Sequence, residues 1–417
     1  MPKLIQRVAL SVALAWAVFL CAPVEAQVSA TGQDFTRIER GRYLAYAADC
    51  SACHDDPYQN RPFAGGRPIE TPFGAVVAPN ITPDRETGIG SLSDAEFDAA
   101  LRHGKRPDDK RLYPAMPFVY YTKMSHEDVL AIRAYLNTVQ PVHHAVISDQ
   151  LPFPFSVRTS MAIWDALYFT PGEFKSDPSK SAAWNRGAYL VEGPGHCAAC
   201  HTPKSVLGGD KTSKELQGYS LQGWFAPDLT SGGHTGLTDW SNQDIVDYLK
   251  KGHNRLAAAS GPMAEEVSDS SSHLSASDLD AIATYLKDQR AETSSSTPVS
   301  ADDPMMVAGG AIYQDLCSAC HKSDGTGVPY LIPNLAASAS VAARDPTTLI
   351  RVVLEGAQSV ATKEEPTAPA MPAFGWQLTD AEVAAVTTYL GNSWNHAAPP
   401  VTEHEVHEAR STLASKQ

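Results

Sequence analysis

The sequence predicts an all-α protein built from three helical domains in tandem, with long loops between the helices. Two observations support this prediction. Amphipathic stretches recur three times in the same order, and no stretch shows sustained strand alternation flanked by hairpin turns. The 417 residues allow for two to four domains, since a domain usually has roughly 100–200 residues. Thirty prolines and 28 glycines indicate the long loops.

Each repeat has a short helix, a C-x-x-C-H motif, a loop, an amphipathic helix, a methionine loop and a last amphipathic helix. In the amphipathic stretches apolar residues recur at steps of three and four, and serine or aspartate before them with glycine after them fits helix caps. We expect the first and last helices of each repeat to cross closely at a glycine and a tyrosine: Gly41 and Tyr135, Gly187 and Tyr285, Gly309 and Tyr389.

The repeats divide the chain into seven predicted segments. These are a signal peptide (1–26), a first domain (36–140), a connecting strap (141–181), a second domain (182–290), a polar linker (291–304), a third domain (305–393) and a polar tail (394–417). The strap is rich in proline and aromatic residues, so we expect it to pack between domains. The tail is polar and only weakly amphipathic, so we expect a solvated end.

The N-terminus has the features of a secretory signal. Lys3 and Arg7 precede an apolar run at 8–22, and small residues at Val24 and Ala26 suit cleavage after Ala26. The alternatives are an uncleaved anchor and a lipoprotein acylated at Cys21. No later segment has 18 consecutive apolar residues, so no membrane-spanning helix is expected after the signal.

The formal net charge of −14 is spread along the chain and leaves no basic stripe. Because a nucleic-acid partner needs a basic surface, this charge pattern argues against one.

All cysteines except Cys21 belong to three C-x-x-C-H motifs. These are Cys50, Cys53 and His54; Cys197, Cys200 and His201; and Cys317, Cys320 and His321. In a secreted chain this motif is typical of c-type haem attachment. Residues three apart lie on one side of a helical turn, so two thiols can bond the two vinyl groups of one porphyrin. The adjacent histidine then provides an axial ligand to iron, and the sequence predicts three covalently attached haems c.

Other readings of the cysteine pairs explain less. Structural zinc needs four ligands, usually from two C-x-x-C pairs together, and three pairs with their own histidines do not divide that way. A thioredoxin-type dithiol needs a strand–helix–strand context. A disulfide within each pair would leave the repeated histidine without a purpose.

A methionine in each late loop is the predicted second axial ligand. Met116, Met263 and Met371 follow the motif histidines by 62, 62 and 50 residues, beside proline or glycine. The alternative for a methionine is core packing, and Met124 is the competing ligand in the first repeat. The backbone carbonyls of Pro79, Pro227 and Pro333 are the predicted acceptors for the second ring nitrogen of the three histidines.

Five stretches resemble the three-haem cytochrome c subunits of membrane-associated dehydrogenases, namely quinoprotein alcohol dehydrogenase and the flavin-dependent gluconate, sorbitol and fructose dehydrogenases. They are GRYLAYAADCSACH, FAGGRPIETPFGAVVAPNITPDRETGIG, YPAMPFVYYTKMS, WNRGAYLVEGPGHCAACHTPK and APAMPAFGWQLTDAEVAAVTTYLGNSW. The segment GHNRLAAASGPMAEEV departs from the family pattern, although Met263 keeps its position.

The resemblance implies three class-I-type cytochrome c domains and a catalytic partner subunit, either a quinoprotein or a flavoprotein, with room for a small third subunit. It also implies ubiquinone or an oxidase as acceptor, at the membrane surface on the periplasmic side of the bacterial cytoplasmic membrane.

The chain has no Rossmann glycine motif, quinone-cofactor signature or paired catalytic carboxylates. We therefore predict an electron-transfer subunit rather than an enzyme. The alternatives are a free-standing periplasmic electron carrier and a haem peroxidase. A peroxidase needs an open or displaceable sixth position on iron, and the three methionines argue against that.

Overall fold

The computed structural model describes residues 35–108, 110–147, 151–231, 236–290 and 297–414, and its regular structure is mostly helical, as predicted. The predicted signal peptide at 1–26 lies outside the described residues, as do residues 291–296 of the predicted linker. Within the described ranges no helix is long and apolar enough to cross a membrane.

The helices form three units, each around its own cluster of buried apolar side chains. The first unit contains α1 (Phe35–Ala47), α2 (Cys50–His54), β1 (Pro68–Thr71), β2 (Gly74–Val77), α3 (Asp94–His103), α4 (Phe118–Tyr121) and α5 (His126–Leu136). The strap contains α6 (Met161–Tyr168) after a 3-10 turn at Arg158–Ser160. The second unit contains α7 (Ala182–Glu192), α8 (Ala198–His201), β3 (Gln217–Leu221), β4 (Trp224–Asp228), α9 (Asn242–Lys251), α10 (Pro262–Asp269) and α11 (Ala276–Asp288).

The third unit begins after the predicted linker and includes the tail. It contains α12 (Pro304–Ile312), a π-helical turn (Tyr313–Cys317), α13 (Ser318–His321), α14 (Ala339–Ala342), α15 (Thr347–Glu355), β5 (Ala357–Gln358), β6 (Ala370–Met371), α16 (Asp380–Asn392) and α17 (Glu403–Ala414). Further 3-10 turns lie at Thr212–Lys214, Ser271–His273 and Leu335–Ala337.

Three two-stranded antiparallel ribbons were not expected from the sequence. The β1–β2 ribbon pairs Pro68 with Val77, and the β3–β4 ribbon pairs Gln217 with Asp228. Both ribbons lie in the insertion that separates the histidine from the downstream proline in the first two repeats. Strands of two to five partly exposed residues carry too little alternation to be recognised in a sequence.

The first and last helices of each unit cross at a glycine, as predicted. A Cβ on Gly41 of α1 would overlap the carbonyl oxygen of Ala131 in α5, and Gly187 and Gly309 stand in the same relation to α11 and α16. Only glycine lets the two backbones approach this closely, so any larger residue would force the helices apart.

The predicted serine caps are present in the first two units, whereas the corresponding helix of the third unit, α15, begins after Pro346 without a side-chain cap. Ser93 and Glu96 form a reciprocal capping box at the start of α3, and Ser241 does the same with Asp244 at the start of α9. The helix α3 ends at Gly104, whose φ of 59° is the left-handed conformation that glycine adopts without strain.

The first two units are joined by two equivalent hydrogen bonds. The hydroxyl of Tyr43 in α1 donates to Asp278 in α11, at 2.5 Å, and the hydroxyl of Tyr189 in α7 donates to Asp128 in α5. Each tyrosine lies two residues after the crossing glycine of its own unit. Equivalent surfaces of the two units therefore face each other, as in a two-fold symmetric dimer, although both units belong to one chain.

Each of these carboxylates also binds an arginine of its own unit. Arg40 pairs with Asp128 at 2.5 Å, and Arg186 pairs with Asp278 through two hydrogen bonds of 2.8 and 2.7 Å. Each aspartate thus links the glycine-crossed helix pair of one unit to the tyrosine of the other.

A second contact between these units brings α10 against α2. Arg67 donates to the carbonyl of Ala52 in α2 and to the Glu265 carboxylate in α10, both at 2.7 Å. Burial, together with neighbouring carboxylates, raises the pKa of Asp49 to about 8, and burial raises the pKa of Glu266 to about 7.

The third unit docks on the β3–β4 ribbon of the second. Thr348 in α15 accepts a hydrogen bond from the Phe225 backbone N–H at 2.7 Å and returns one to its carbonyl at 3.1 Å. The Arg351 guanidinium lies 4.4 Å from the ring centroid of Trp224. This contact has no reciprocal partner and so differs from the symmetric contact of the first two units.

The tail differs from the solvated end that we expected. Residues 403–414 form α17, which buries Val406 and Leu413 in the third core. Arg410 pairs with Asp380 at 2.7 Å and donates to the carbonyl of Leu378 at 2.9 Å. Two buried apolar residues among twelve are enough to dock this helix, although they give it little amphipathic signal.

We predict that Tyr43→Phe combined with Tyr189→Phe weakens the association of the first two units. Each change removes a hydrogen bond to a carboxylate and should cost about 1–2 kcal/mol of unfolding free energy. Denaturant melts of the holoprotein measure the loss. Tyr58→Phe is the control because Tyr58 is 78% exposed. A double variant as stable as this control would contradict the role of the interface.

We also predict that stability falls as the pH rises through about 7 to 8. A carboxyl whose pKa is raised on folding contributes stability that is complete below its unfolded pKa and is lost above its folded pKa. For Glu266 the loss should be on the order of 2–3 kcal/mol. Melting temperatures measured from about pH 5 to pH 9 should therefore decline, and Glu266→Gln should flatten the decline. The control is Glu265→Gln, at the neighbouring ion-paired residue, which should leave the decline of melting temperature with pH unchanged. If the two variants show the same dependence of melting temperature on pH, Glu266 is not the cause.

Candidate haem sites

The three C-x-x-C-H motifs lie on short helices of the same construction. In each, the histidine is the last helical residue and is buried: His54 ends α2, His201 ends α8 and His321 ends α13. One helical turn places the two cysteines on the same side, as attachment to one porphyrin requires.

Each motif histidine is oriented by the proline carbonyl that the sequence predicts. The Nδ1 atoms of His54, His201 and His321 lie 2.7, 2.6 and 3.1 Å from the carbonyl oxygens of Pro79, Pro227 and Pro333. An Nδ1–H that donates to a carbonyl leaves the Nε2 lone pair free for a metal.

The histidines are also kept neutral. Burial lowers the pKa of all three imidazoles, and it lowers the pKa of His201 to about 4. A metal ligand must be unprotonated, so burial and the hydrogen bond both prepare these rings for iron.

A glycine beside the proline carbonyl of the first and third units was missed in the sequence. Gly65 has φ 74° and its N–H donates to the His54 carbonyl; a Cβ there would come within 2.5 Å of the Pro79 carbonyl carbon. Gly327 has φ 61° and the same relation to His321 and Pro333. The intervals from glycine to proline differ, at 14 and 6 residues, and this difference hides the equivalence in the sequence.

The third unit has a partly open apolar pocket next to its motif. His321 and Met371 both line it, together with Cys317 and a wall of apolar side chains that includes Leu349, Val353, Phe374 and Leu390. A histidine, a methionine and an attachment cysteine around an apolar pocket are the parts that a covalently bound haem requires. The residues therefore fit the group.

Met116 and Met124 occupy different environments in the first unit. Met116 lies in a turn before α4 and is partly buried against the cluster that contains Cys50. Met124 is fully buried within that cluster and lies beside Gly193 of the second unit. This supports core packing for Met124 and leaves Met116 as the candidate ligand.

Met263 has a different setting from the other two methionines. It is the second residue of α10, which follows Gly261 with φ 56°. Met371 instead lies in β6, paired with Ala357. The departure seen in the sequence around Met263 thus corresponds to a helix start in place of a loop or strand.

All six cysteines in the described ranges are free of disulfide bonds, so every pair is available for attachment to a cofactor. Burial raises the pKa of Cys50, Cys53 and Cys197 to about 12. In the same ranges no group of three or more His, Cys, Asp or Glu side chains is arranged to hold a metal ion.

The first two motifs lie at the interface of their units. The helix α10 of the second unit contacts the motif helix α2 of the first, and Arg67 joins α2 to Glu265 of α10. The ring of Tyr121 packs edge-on against His196, with centroids 5.5 Å apart. Groups attached at these two motifs would therefore be neighbours.

Comparisons with known proteins agree with this geometry. The cytochrome c family profile matches residues 306–394. The chain is 41% identical to the gluconate 2-dehydrogenase cytochrome c subunit of Pantoea cypripedii, over 89% of each protein. It is 36% identical to the fructose dehydrogenase cytochrome subunit of Gluconobacter japonicus, over 90% of this chain and 82% of the relative.

A third relative is the cytochrome c subunit of alcohol dehydrogenase (quinone) from Gluconobacter oxydans (strain 621H), 36% identical over 96% of this chain and 88% of that protein. These matches cover 82–89% of the length of the three cytochrome subunits. The chain therefore belongs to the family of cytochrome c subunits of dehydrogenases, and it is a haem c electron-transfer protein rather than a catalytic subunit.

Proposed function

We propose that the chain carries three haems and passes electrons from a partner dehydrogenase subunit, which oxidises an alcohol, sugar or aldehyde, to ubiquinone or another respiratory acceptor. The observation that carries the proposal is the threefold repetition of one site. In each copy a buried histidine ends the C-x-x-C-H helix and is bonded through Nδ1 to a proline carbonyl.

The proposed ligand sets follow from that repetition. The thiols of each pair would hold one haem: Cys50 and Cys53, Cys197 and Cys200, and Cys317 and Cys320. The axial pairs would be His54 with Met116, His201 with Met263, and His321 with Met371. A haem held this way supplies a reversible one-electron change at iron, and His/Met ligation favours a high reduction potential.

The arrangement of the units supports a relay. The second unit contacts the first through the Tyr–Asp pairs and the third through the β3–β4 ribbon, so it links the other two units. The motifs of the first two units lie at the interface of those units, so groups attached there would be neighbours. The chain's own contribution is to hold the spacing and to exclude water from the iron.

The proposed partner follows from the named relatives. Their names refer to gluconate, fructose and alcohol dehydrogenases, so the partner would be a flavoprotein or quinoprotein subunit, with room for a small third subunit. Secretion through the predicted signal would place the complex on the periplasmic side of the bacterial cytoplasmic membrane.

Purification of a C-terminally tagged chain from its native membranes tests the partnership. We expect a dehydrogenase subunit to co-purify, and we expect its substrate to reduce the haems of the complex. Deletion of the gene for that subunit should leave the haems oxidised when substrate is added. A chain that arrives alone, with haems that respond to no dehydrogenase substrate, would favour a free carrier.

Conservative methionine substitutions test the axial ligands. Leucine keeps the volume of methionine but cannot bind iron, so Met116→Leu, Met263→Leu and Met371→Leu should each remove about a third of the ferric methionine–iron charge-transfer absorbance and lower one haem potential. Met124→Leu is the matched control in the first unit and should keep the full absorbance. Loss of absorbance in the control, with none in Met116→Leu, would reverse the assignment.

A further inference from the structure

The strap presents an apolar face to solvent. On α6, Ile163 and Leu167 are 68% and 62% exposed, one helical turn apart. Beside them Val206 and Leu207, at the tip of a loop in the second unit, are 92% and 49% exposed. We call these four residues the strap face.

The strap face is held rigidly. Trp164 is buried on an adjacent side of α6, and its Nε1–H donates to the Leu207 carbonyl at 2.8 Å. The hydroxyls of Tyr168 and Ser205 are 3.0 Å apart and join the end of α6 to the start of the loop. The helix is therefore anchored through its inner side, while apolar side chains also cover its outer side.

This distribution is unusual for a surface helix, whose outer side is normally polar. A helix that is apolar all round is buried in some assembly, and an exposed apolar patch marks a protein or membrane contact. The loop tip adds two consecutive aliphatic residues that project next to the helix. The strap face therefore needs a covering surface.

Basic residues outnumber acidic ones in the strap and in the two segments that contact α6. Segments 102–111, 151–169 and 203–214 together carry nine Lys or Arg and four Asp or Glu, in a chain with 33 basic and 47 acidic residues. Arg111 joins the first of these segments to α6 through its ion pair with Asp165. The exposed side chains of Lys105, Lys110 and Lys211 belong to these segments, which we call the basic border.

We propose that the strap face docks on an anionic phospholipid surface. Aliphatic side chains on a short helix and a loop tip can enter the boundary between headgroups and acyl chains, while the lysine border binds lipid phosphates. The inference deepens the proposed function, on which it rests for its setting beside a membrane. This docking would orient the protein with the strap against the bilayer.

The border composition favours lipid over a protein partner. Lysine is depleted in protein–protein interfaces, whereas clusters of lysine and arginine around apolar residues suit anionic headgroups. The rest of the chain is acidic and would be repelled by such a surface. The local basic border therefore also determines which side of the protein approaches the bilayer.

Vesicle flotation of the full mature holoprotein tests the proposal, with bound protein measured by haem absorbance. We expect binding to vesicles of phosphatidylglycerol and phosphatidylcholine in equal parts, and weaker binding to phosphatidylcholine alone. Ile163→Glu with Leu167→Glu should lower the bound-to-free ratio at least about tenfold. Val307→Glu is the control because Val307 is 62% exposed on the third unit, far from the strap in sequence.

A second variant separates charge from apolar insertion. Lys110→Glu with Lys211→Glu should abolish the preference for phosphatidylglycerol, and added salt should do the same in the unchanged protein. The haem spectrum and melting temperature of each variant establish that it is folded. A folded strap variant that floats like the unchanged protein would overturn the proposal.

Co-purification distinguishes lipid from protein as the occupant. The strap variant (Ile163→Glu with Leu167→Glu) should still co-purify with the dehydrogenase subunit, and the substrate of that subunit should still reduce its haems. If the strap variant loses the dehydrogenase or a second copy of the chain, the strap face is a protein interface and the lipid proposal is wrong. Failure of the proposed function would instead appear in the unchanged protein, as absence of any dehydrogenase.

Discussion

Two shared carboxylates determine the geometry of the first two units. Asp128 and Asp278 each bind an arginine of their own unit and the tyrosine of the other, so neither can move without disturbing both units. A buried carboxylate that loses one of its partners is strongly destabilising, because its charge is left uncompensated. Since the tyrosines lie on α1 and α7, the helices that lead into the C-x-x-C-H motifs, the same bonds help to fix the position of the first two motifs relative to each other. In the proposed relay, these polar contacts would therefore set the spacing of the first two haems.

The histidine sites show how one local geometry survives different loop lengths. Pro79 and Pro227 follow their histidines by 25 and 26 residues, whereas Pro333 follows by 12, yet all three carbonyls accept from Nδ1. In the first and third units a left-handed glycine next to the histidine lets the proline backbone return at close range. The inserted residues form a ribbon that extends away from the histidine, and the chain then returns to place the proline carbonyl beside Nδ1. The ring orientation therefore depends on the two ends of the loop rather than on its length.

Features with a local chemical signal could be predicted from the sequence. The C-x-x-C-H motifs, the crossing at Gly41 and its counterparts, the capping boxes and the three proline carbonyls each depend on a residue type that few others can replace. The Tyr189–Asp128 bond could not be predicted, because two common residues 61 positions apart carry no signal until the units are placed together. The docking of α17 was missed for a related reason: Val406 and Leu413 are two apolar residues in a polar helix, and only the third core shows where they belong.

The ribbons explain why the three repeats are not interchangeable. The β1–β2 turn is covered by the strap, where Phe73 packs 4.9 Å from Phe155, and the β3–β4 ribbon is covered by α15 of the third unit. Each ribbon is therefore a docking platform as well as an insertion. In the third repeat Pro333 follows His321 by only 12 residues and the described residues between them form no ribbon, so this repeat offers no equivalent platform to a further unit. A pseudo-symmetric pair with a third unit attached on one side is the assembly that these differences favour, and it gives the proposed relay two different junctions rather than two copies of one.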